Sequence, residues 1–399
     1  MKSEDEDVVF DKNVVVLGPS HVVRWEHAVL KGALQSPFLH TTFVGGGGLP
    51  IWSAHLLARA KILAPSADKL LLVVPDFRFG NSIAGVSPPP EALFLDGHRN
   101  VSREYLNPSV DRLLFERCVK ALDQWREMFG SKLEIVHWTA LTRRNEDVLL
   151  GKYLNDGCYR HPIWDFSRLQ SDDLTALSQA PPQILRTLYI DDNLHPSALG
   201  FRYLALRVLT KRPADALRES IAWMDEQVSS WVRPGDATPL LVTGDSVWVK
   251  SVLRQLFGRP LQTLKTMGIH VQSMNFDGIV EYVAAQNIAK VLFVTDHGAH
   301  REDFSPGRFQ DIQARISRVN SGPEVTIFPW AAVTREIVSR RHMDLSYLKA
   351  PASSRLVEWL SRCNAAVYAE SPQYDNIVDL GVELLPTLKG IELLLCLCR

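Results

Sequence analysis

The sequence predicts an α/β protein made of parallel sheets with helices on both faces, arranged as two successive domains. Three observations carry this expectation. Short β-branched or leucine-rich runs of strand length alternate with longer amphipathic runs of helix length. The first three strand runs stop at glycine or proline, which suits short strands buried on both faces. After residue 238 the alternation starts again with similar residues at its turns.

Each element follows in order. The run NVVVLG at 13–18 reads as the first strand, and residues 21–34 suit the helix after it. A second strand at 41–44 runs into the glycines 45–48 and then an amphipathic stretch at 51–63. The run KLLLVV at 69–74 is a third strand, stopped by Pro75. A long helix is predicted over 109–129 and a strand over 133–138. A long irregular stretch follows, containing Asp156, His161, Pro162, Pro181 and Pro182, and a helix over 197–209 closes this half.

Residues 229–239 have linker chemistry and separate a domain over 1–230 from one over 238–399. The second domain resembles a shortened copy of the first. Its segment LLVTGDSVWVKSVLRQL at 240–256 mirrors residues 13–30: apolar strand, Gly-x-Ser turn, helix. The segment at 290–300 mirrors 69–79, residues 324–330 resemble 133–138, and 352–363 take the slot of the closing helix. Duplication of one α/β unit requires the same strand order in both halves.

Composition bounds the partners. Of 399 residues, 46% are hydrophobic and 22% charged, enough apolar material for two cores. The 44 basic and 45 acidic residues leave a net charge of -1, so there is no electrostatic case for a nucleic acid partner. Five cysteines, Cys118, Cys158, Cys363, Cys396 and Cys398, are too sparse for a disulfide framework and read as buried or terminal thiols. The start MKSEDEDVVF has no apolar core of a signal peptide, and no apolar run reaches the ~18 residues of a transmembrane helix. The apolar tail at 391–398 is too short to span a bilayer. The expectation is a cytoplasmic protein with no membrane span, no cofactor and no metal, with its oligomeric state open.

Two motifs point to nucleophilic chemistry. Ser20 lies in Gly18-Pro19-Ser20-His21, between a strand and a helix. That location puts a hydroxyl at the carboxyl edge of a parallel sheet, where ligands bind in open α/β folds. The helix that follows directs N–H groups and partial positive charge at the same point, which suits a developing oxyanion. The plainer role for this serine is a helix N-cap. The second motif is Asp192-Asn193-Leu194-His195-Pro196, in a polar turn ahead of the closing helix. A serine hydroxyl needs a base to remove its proton, and the base needs a carboxylate to fix its tautomer. One turn carrying both groups supplies the relay; the plainer role is a helix cap beside a surface histidine.

A Gly-x-Ser turn after the first strand, with Asp-x-x-His-Pro before the last helix, resembles the SGNH/GDSL hydrolase superfamily over residues 13–210. The resemblance implies a flavodoxin-like, three-layer α/β/α fold. It also implies Ser20 as nucleophile, His195 as general base and then acid, and Asp192, rather than Asp191, as the orienting carboxylate. The family's oxyanion donors would be the serine N–H, a glycine in the block at 43–50, assigned here to Gly46, and an asparagine in a third block. That third block departs from the pattern. The chain has Pro75-Asp76-Phe77-Arg78-Phe79-Gly80-Asn81, so Asn81 falls late and Arg78 stands nearer the expected place. Pro19 also replaces the aspartate of the family's Gly-Asp-Ser. The run of glycines at 45–48 is not a phosphate loop, because no Gly-Lys-Ser/Thr follows.

In the second half, Gly244-Asp245-Ser246 matches the family's first block better, yet its closing dyad is missing: Asp344 has no histidine three residues on. His297 or His300 would serve only in an unusual arrangement, and Asp296, His297 and His300 read as loop residues rather than metal ligands. The second copy is therefore expected to be degenerate, kept for packing, substrate binding or dimerisation. The implied function is hydrolysis of short acyl esters, acetyl among them, through an acyl-serine. Trp25, Trp52, Trp138 and Trp164 are candidates for stacking on a sugar, although burial is the ordinary fate of tryptophan. An O-acyltransferase acting on a glycan uses the same constellation. A non-catalytic binding or scaffold protein is the alternative of a different class.

Overall fold

The computed structural model describes residues 10–30, 36, 38–46, 49–74, 108–138, 166–177, 180–189, 196–210, 212–231, 238–244, 247–273, 276–295, 314–316, 318, 323–329, 388, 391–392 and 395. The chain divides into two compact units, Met1–Val29 with Leu34–Ser220 and Leu30–Ala33 with Ile221–Arg399. The division falls between Ser220 and Ile221, upstream of the linker read at 229–239.

The first unit holds strands β1 (Phe10–Gly18), β2 (Phe38–Gly45), β3 (Lys69–Val74) and β4 (Leu133–His137). All pair in parallel, in the order β2-β1-β3-β4. This is the start of the 2-1-3-4-5 doubly wound order. The parallel α/β fold class expected from the sequence is therefore correct. Its helices are α1 (Ser20–Leu30), α2 (Ala54–Leu63), α3 (Pro108–Phe129), the short α4 (Asp172–Ala176) and α5 (Pro182–Arg186), and α6 (Ala198–Thr210).

Alternation along the strands sends side chains to opposite faces. Val15, Leu17, Leu70, Leu72 and Val74 pack on one face against Leu56 and Ala60 of α2 and Cys118, Leu122 and Trp125 of α3. Val14, Val16, Leu71 and Val73 are equally buried and face the other way. On that side α1 and α6 meet, with Trp25 stacked on Phe201 at 5.6 Å between ring centroids. Burial on both faces explains why these strands read as continuous apolar runs.

The second unit repeats the plan. Strands β5 (Leu240–Thr243), β6 (Ile269–Gln272), β7 (Lys290–Thr295) and β8 (Glu324–Pro329) pair in parallel in the order β6-β5-β7-β8. The order is the one that duplication requires, and the registers also coincide. Val14 pairs with Lys69 in the first sheet, and Leu240 with Lys290 in the second. Counting along from these pairs makes Gly18 the counterpart of Gly244. The two glycines do the same job. A Cβ on Gly18 would lie 2.9 Å from the Val73 carbonyl oxygen, and one on Gly244 would lie 2.0 Å from that of Val294. Val73 and Val294 occupy the same place in the third strand of each sheet. Gly244 also has φ +134°, which side chains rarely adopt.

Several elements are absent from the expectation. Helix α7 (Pro213–Ser230) runs up to the linker, and α9 (Arg259–Thr266), β6 and α10 (Phe276–Gln286) fill the space between α8 (Val247–Gln255) and β7. Strand β6 has four residues, IHVQ, too few for a period to show. Residues 352–363, the expected closing helix of the second half, lie outside the described residues. Among the described residues no helix is long and apolar enough to cross a membrane.

Candidate functional site

The carboxyl edge of the first sheet is formed by Gly18, Gly45, Val74 and His137. Ser20 opens α1 there, just past β1, and is half-buried. Pro19 donates no hydrogen bond, but its carbonyl accepts the N–H groups of Val22 and Val23 at 3.0 and 3.4 Å. The N-cap position therefore belongs to Pro19, and Ser20 stands in the first helical turn. That turn has no acidic residue, so no carboxylate there neutralises the positive end of α1. His21 and Arg24, beside Ser20 on the same helix, are buried.

Gly45 pairs with Gly18 across β1 and β2. A Cβ on Gly45 would lie 2.9 Å from the Val23 backbone nitrogen, so only glycine lets the end of β2 approach the start of α1. Gly46, the expected oxyanion donor, follows at once and is half-buried. Its carbonyl accepts the Leu49 N–H at 3.3 Å, closing a turn beside the serine turn. A Cβ there would meet only the Leu49 side chain. The tight position is Gly45, which the sequence reading did not single out.

Asp192 and His195 lie outside the described residues, as do Arg78, Asn81, Ser246, Asp296, His297 and His300. The residues flanking the dyad are described. Tyr189 and Pro196 form an isolated antiparallel bridge on either side of 190–195. The Tyr189 hydroxyl donates to the Trp138 carbonyl at 2.9 Å, and the Trp138 N–H donates to the Val74 carbonyl at 2.8 Å. The bridge is thereby tied to the carboxyl ends of β3 and β4. Helix α6 starts at the same edge. A Cβ on Gly200 would lie 2.2 Å from the Leu188 carbonyl oxygen and 2.8 Å from the Trp138 ring. Two turns on, Arg207 reaches Glu134, near the amino end of β4. Helices α1 and α6 thus both run away from the carboxyl edge, on one face of the sheet, and both open towards it.

Beneath this edge lies a buried polar cluster that the sequence reading missed. The Asp173 carboxylate, fully buried on α4, accepts the Arg207 Nε–H at 2.8 Å and the Tyr203 hydroxyl. Arg207 also makes a close ion pair with Glu134 at 2.8 Å, without hydrogen-bond alignment. Burial opposes the Arg207 charge, but the Asp173 charge and hydrogen bond outweigh it and leave the guanidinium more basic than usual. Burial, reinforced by Asp173, pushes the Tyr203 and Tyr189 hydroxyls well above their ordinary range.

His137 ends β4, buried, and neither ring nitrogen has a hydrogen-bond partner among the described residues. Burial lowers it to about 4; Asp173 opposes the shift, and Arg126 and Arg207 add to it. Burial thus favours the neutral form of its imidazole. No sequence signal separated Asp173 or His137 from other polar residues, because their burial comes from distant elements.

Of the four candidate tryptophans, Trp25 and Trp138 are core residues with 2% and 0% exposure, and Trp164 lies outside the described residues. Trp52 is half-buried, with the Arg117 guanidinium 5.3 Å from its ring centroid. Among the described residues no group of three or more His, Cys, Asp or Glu is placed to hold a metal ion. Cys118 lies in the core and forms no disulfide among the described residues. No protein-family model, curated protein or solved structure matches this chain.

Proposed function

We propose that the first unit is a serine esterase of the SGNH/GDSL type acting on short acyl esters. Ser20 attacks the ester carbonyl while His195 takes its proton, with Asp192 holding the imidazole. The oxyanion forms at the amino end of α1, beside the turn at Gly45 and Gly46. His195 then protonates the departing alcohol, leaving an acyl-serine. Water, activated by the same histidine, releases the acid.

One observation supports this reading above the others. Helices α1 and α6 lie side by side on one face, joined at Trp25 and Phe201, and both open at the same sheet edge. Ser20 is the first residue of one, and Pro196, next to His195, lies just ahead of the other. Two helix N-termini at one edge are what the short relay from carboxylate to imidazole to hydroxyl requires.

With Trp25 and Trp138 in the core, a sugar-stacking role falls, among the described residues, to Trp52. Transfer of the acyl group to a glycan hydroxyl uses the same acyl-serine. Product analysis with and without an added sugar acceptor separates transfer from hydrolysis.

The test is labelling by a fluorophosphonate, together with p-nitrophenyl acetate hydrolysis. The unaltered chain and Ser246→Ala are expected to label and turn over, and Ser20→Ala to do neither. Labelling lost only in Ser246→Ala reverses the assignment of the two copies. No labelling of the unaltered chain leaves a non-catalytic binding protein as the reading.

A further inference from the structure

We propose that strand β2 is a docking edge for a second copy of this chain, which pairs its own β2 there, antiparallel, about a twofold axis. β2 stands at the end of the first sheet and pairs with β1 on its inner side. In such a strand alternate residues aim their N–H and C=O groups at the neighbour, and the others aim theirs outwards. The Ser36 hydroxyl takes up both main-chain groups of Phe38. Beyond Phe38, no main-chain hydrogen bond reaches the outer row from any described residue. His40 is exposed there, and Thr41, Thr42 and Phe43 are half-buried.

Proteins blunt their edge strands by shortness, charge, proline or a cover. The other edges of the two sheets follow that rule. Helix α4 packs against β4. Strand β6 has four residues. Strand β8 begins at the exposed Glu324 and ends at Pro329. Strand β2 has eight residues, FLHTTFVG, with neither a formal charge nor a proline.

That composition favours a second copy as the occupant. Self-pairing sets each charge near its own copy, and an uncharged strand meets no repulsion there. Opposed residues of an antiparallel pair have the same backbone orientation, so the axis passes through a residue, not between two. An axis through Thr42 sets that threonine against its own copy. An axis through Thr41 does the same for Thr41 and sets His40 against Thr42. Either register puts threonine opposite threonine at its centre, a pair that hydrogen-bonds across antiparallel strands. Two four-stranded sheets become one, and assembly closes at two copies because each has used the edge it offers.

The experiment uses the full chain. Sedimentation over a concentration series reads its mass, and hydrogen–deuterium exchange reads the amides of 38–45 in concentrated and dilute samples. The unaltered chain is expected to dimerise, with outer β2 amides exchanging at least about 10-fold more slowly than after dilution to monomer. The double variant His40→Lys/Thr42→Lys opposes like charges in both registers, since position 42 meets itself in one and position 40 meets 42 in the other. It should raise the dissociation constant by at least about 10-fold. A chain that is monomeric at every concentration overturns the inference. So does a dimer whose β2 amides exchange as fast as those of the monomer, or one that the folded double variant forms as readily. Should the double variant fail to fold, the exchange comparison on the unaltered chain decides alone.

Discussion

Acidification should destabilise this protein through His137, and the size of the effect follows from its surroundings. The side chain is buried at the end of β4, and neither ring nitrogen has a hydrogen-bond partner among the described residues. Burial holds it at about 4, against an ordinary value of 6.5. The folded state therefore binds the proton more weakly than the unfolded chain. Stability is fully present above pH 6.5 and falls as pH drops towards 4. Each unit of difference is worth about 1.4 kcal/mol, so about 3 kcal/mol is lost over that window. Asp173 carries the opposing charge, while Arg126 and Arg207 repel a protonated ring. Other groups titrate in the same range, so the comparison is with His137→Leu, which puts an apolar, non-titrating side chain in the place of the buried imidazole. Urea unfolding of both proteins from pH 7 to pH 4.5, followed by tryptophan fluorescence, reads the difference. The gap between them should move by about 2–3 kcal/mol in favour of the variant as pH falls. Parallel pH curves, or an NMR titration of His137 near 6.5, would refute the reasoning.

Two further outcomes follow from buried polar contacts and close backbone approaches. Asp173→Ala should cost about 3–5 kcal/mol in denaturant unfolding, because it removes the buried acceptor of the Arg207 Nε–H and the Tyr203 hydroxyl and leaves the Arg207 charge to Glu134 alone. The double variant Asp173→Leu/Arg207→Met should recover most of that loss. Gly200→Ala sets helix propensity, a gain of about 1 kcal/mol, against a Cβ 2.2 Å from the Leu188 carbonyl oxygen. The contact is with backbone and cannot relax cheaply, so a net loss of about 1–3 kcal/mol is expected in the same assay.

The sequence carried the first sheet almost completely. Runs such as NVVVLG and KLLLVV are apolar on both faces, and that pattern has few meanings other than a central parallel strand. The repeat was also legible, because Gly18 and Gly244 mark the same close approach to the third strand. Helix α7 and strand β6 were not. The helix merges into a linker signal, and four residues are too few to show alternation. At the site, Ser20 and Gly46 could be named from their motifs, but the close approach at Gly45 could not, because it depends on where the start of α1 sits.

By itself, the sequence determined the strands of the first sheet, the long helices between them and the serine turn, because periodicity and turn chemistry act between near neighbours. Tertiary structure alone decided that α1 and α6 open at one edge, that Ser197 hydrogen-bonds to the Thr187 and Leu188 carbonyls, and that Asp173 neutralises Arg207. Each of these joins residues far apart in the chain or fixes a direction in space, and no local pattern encodes either.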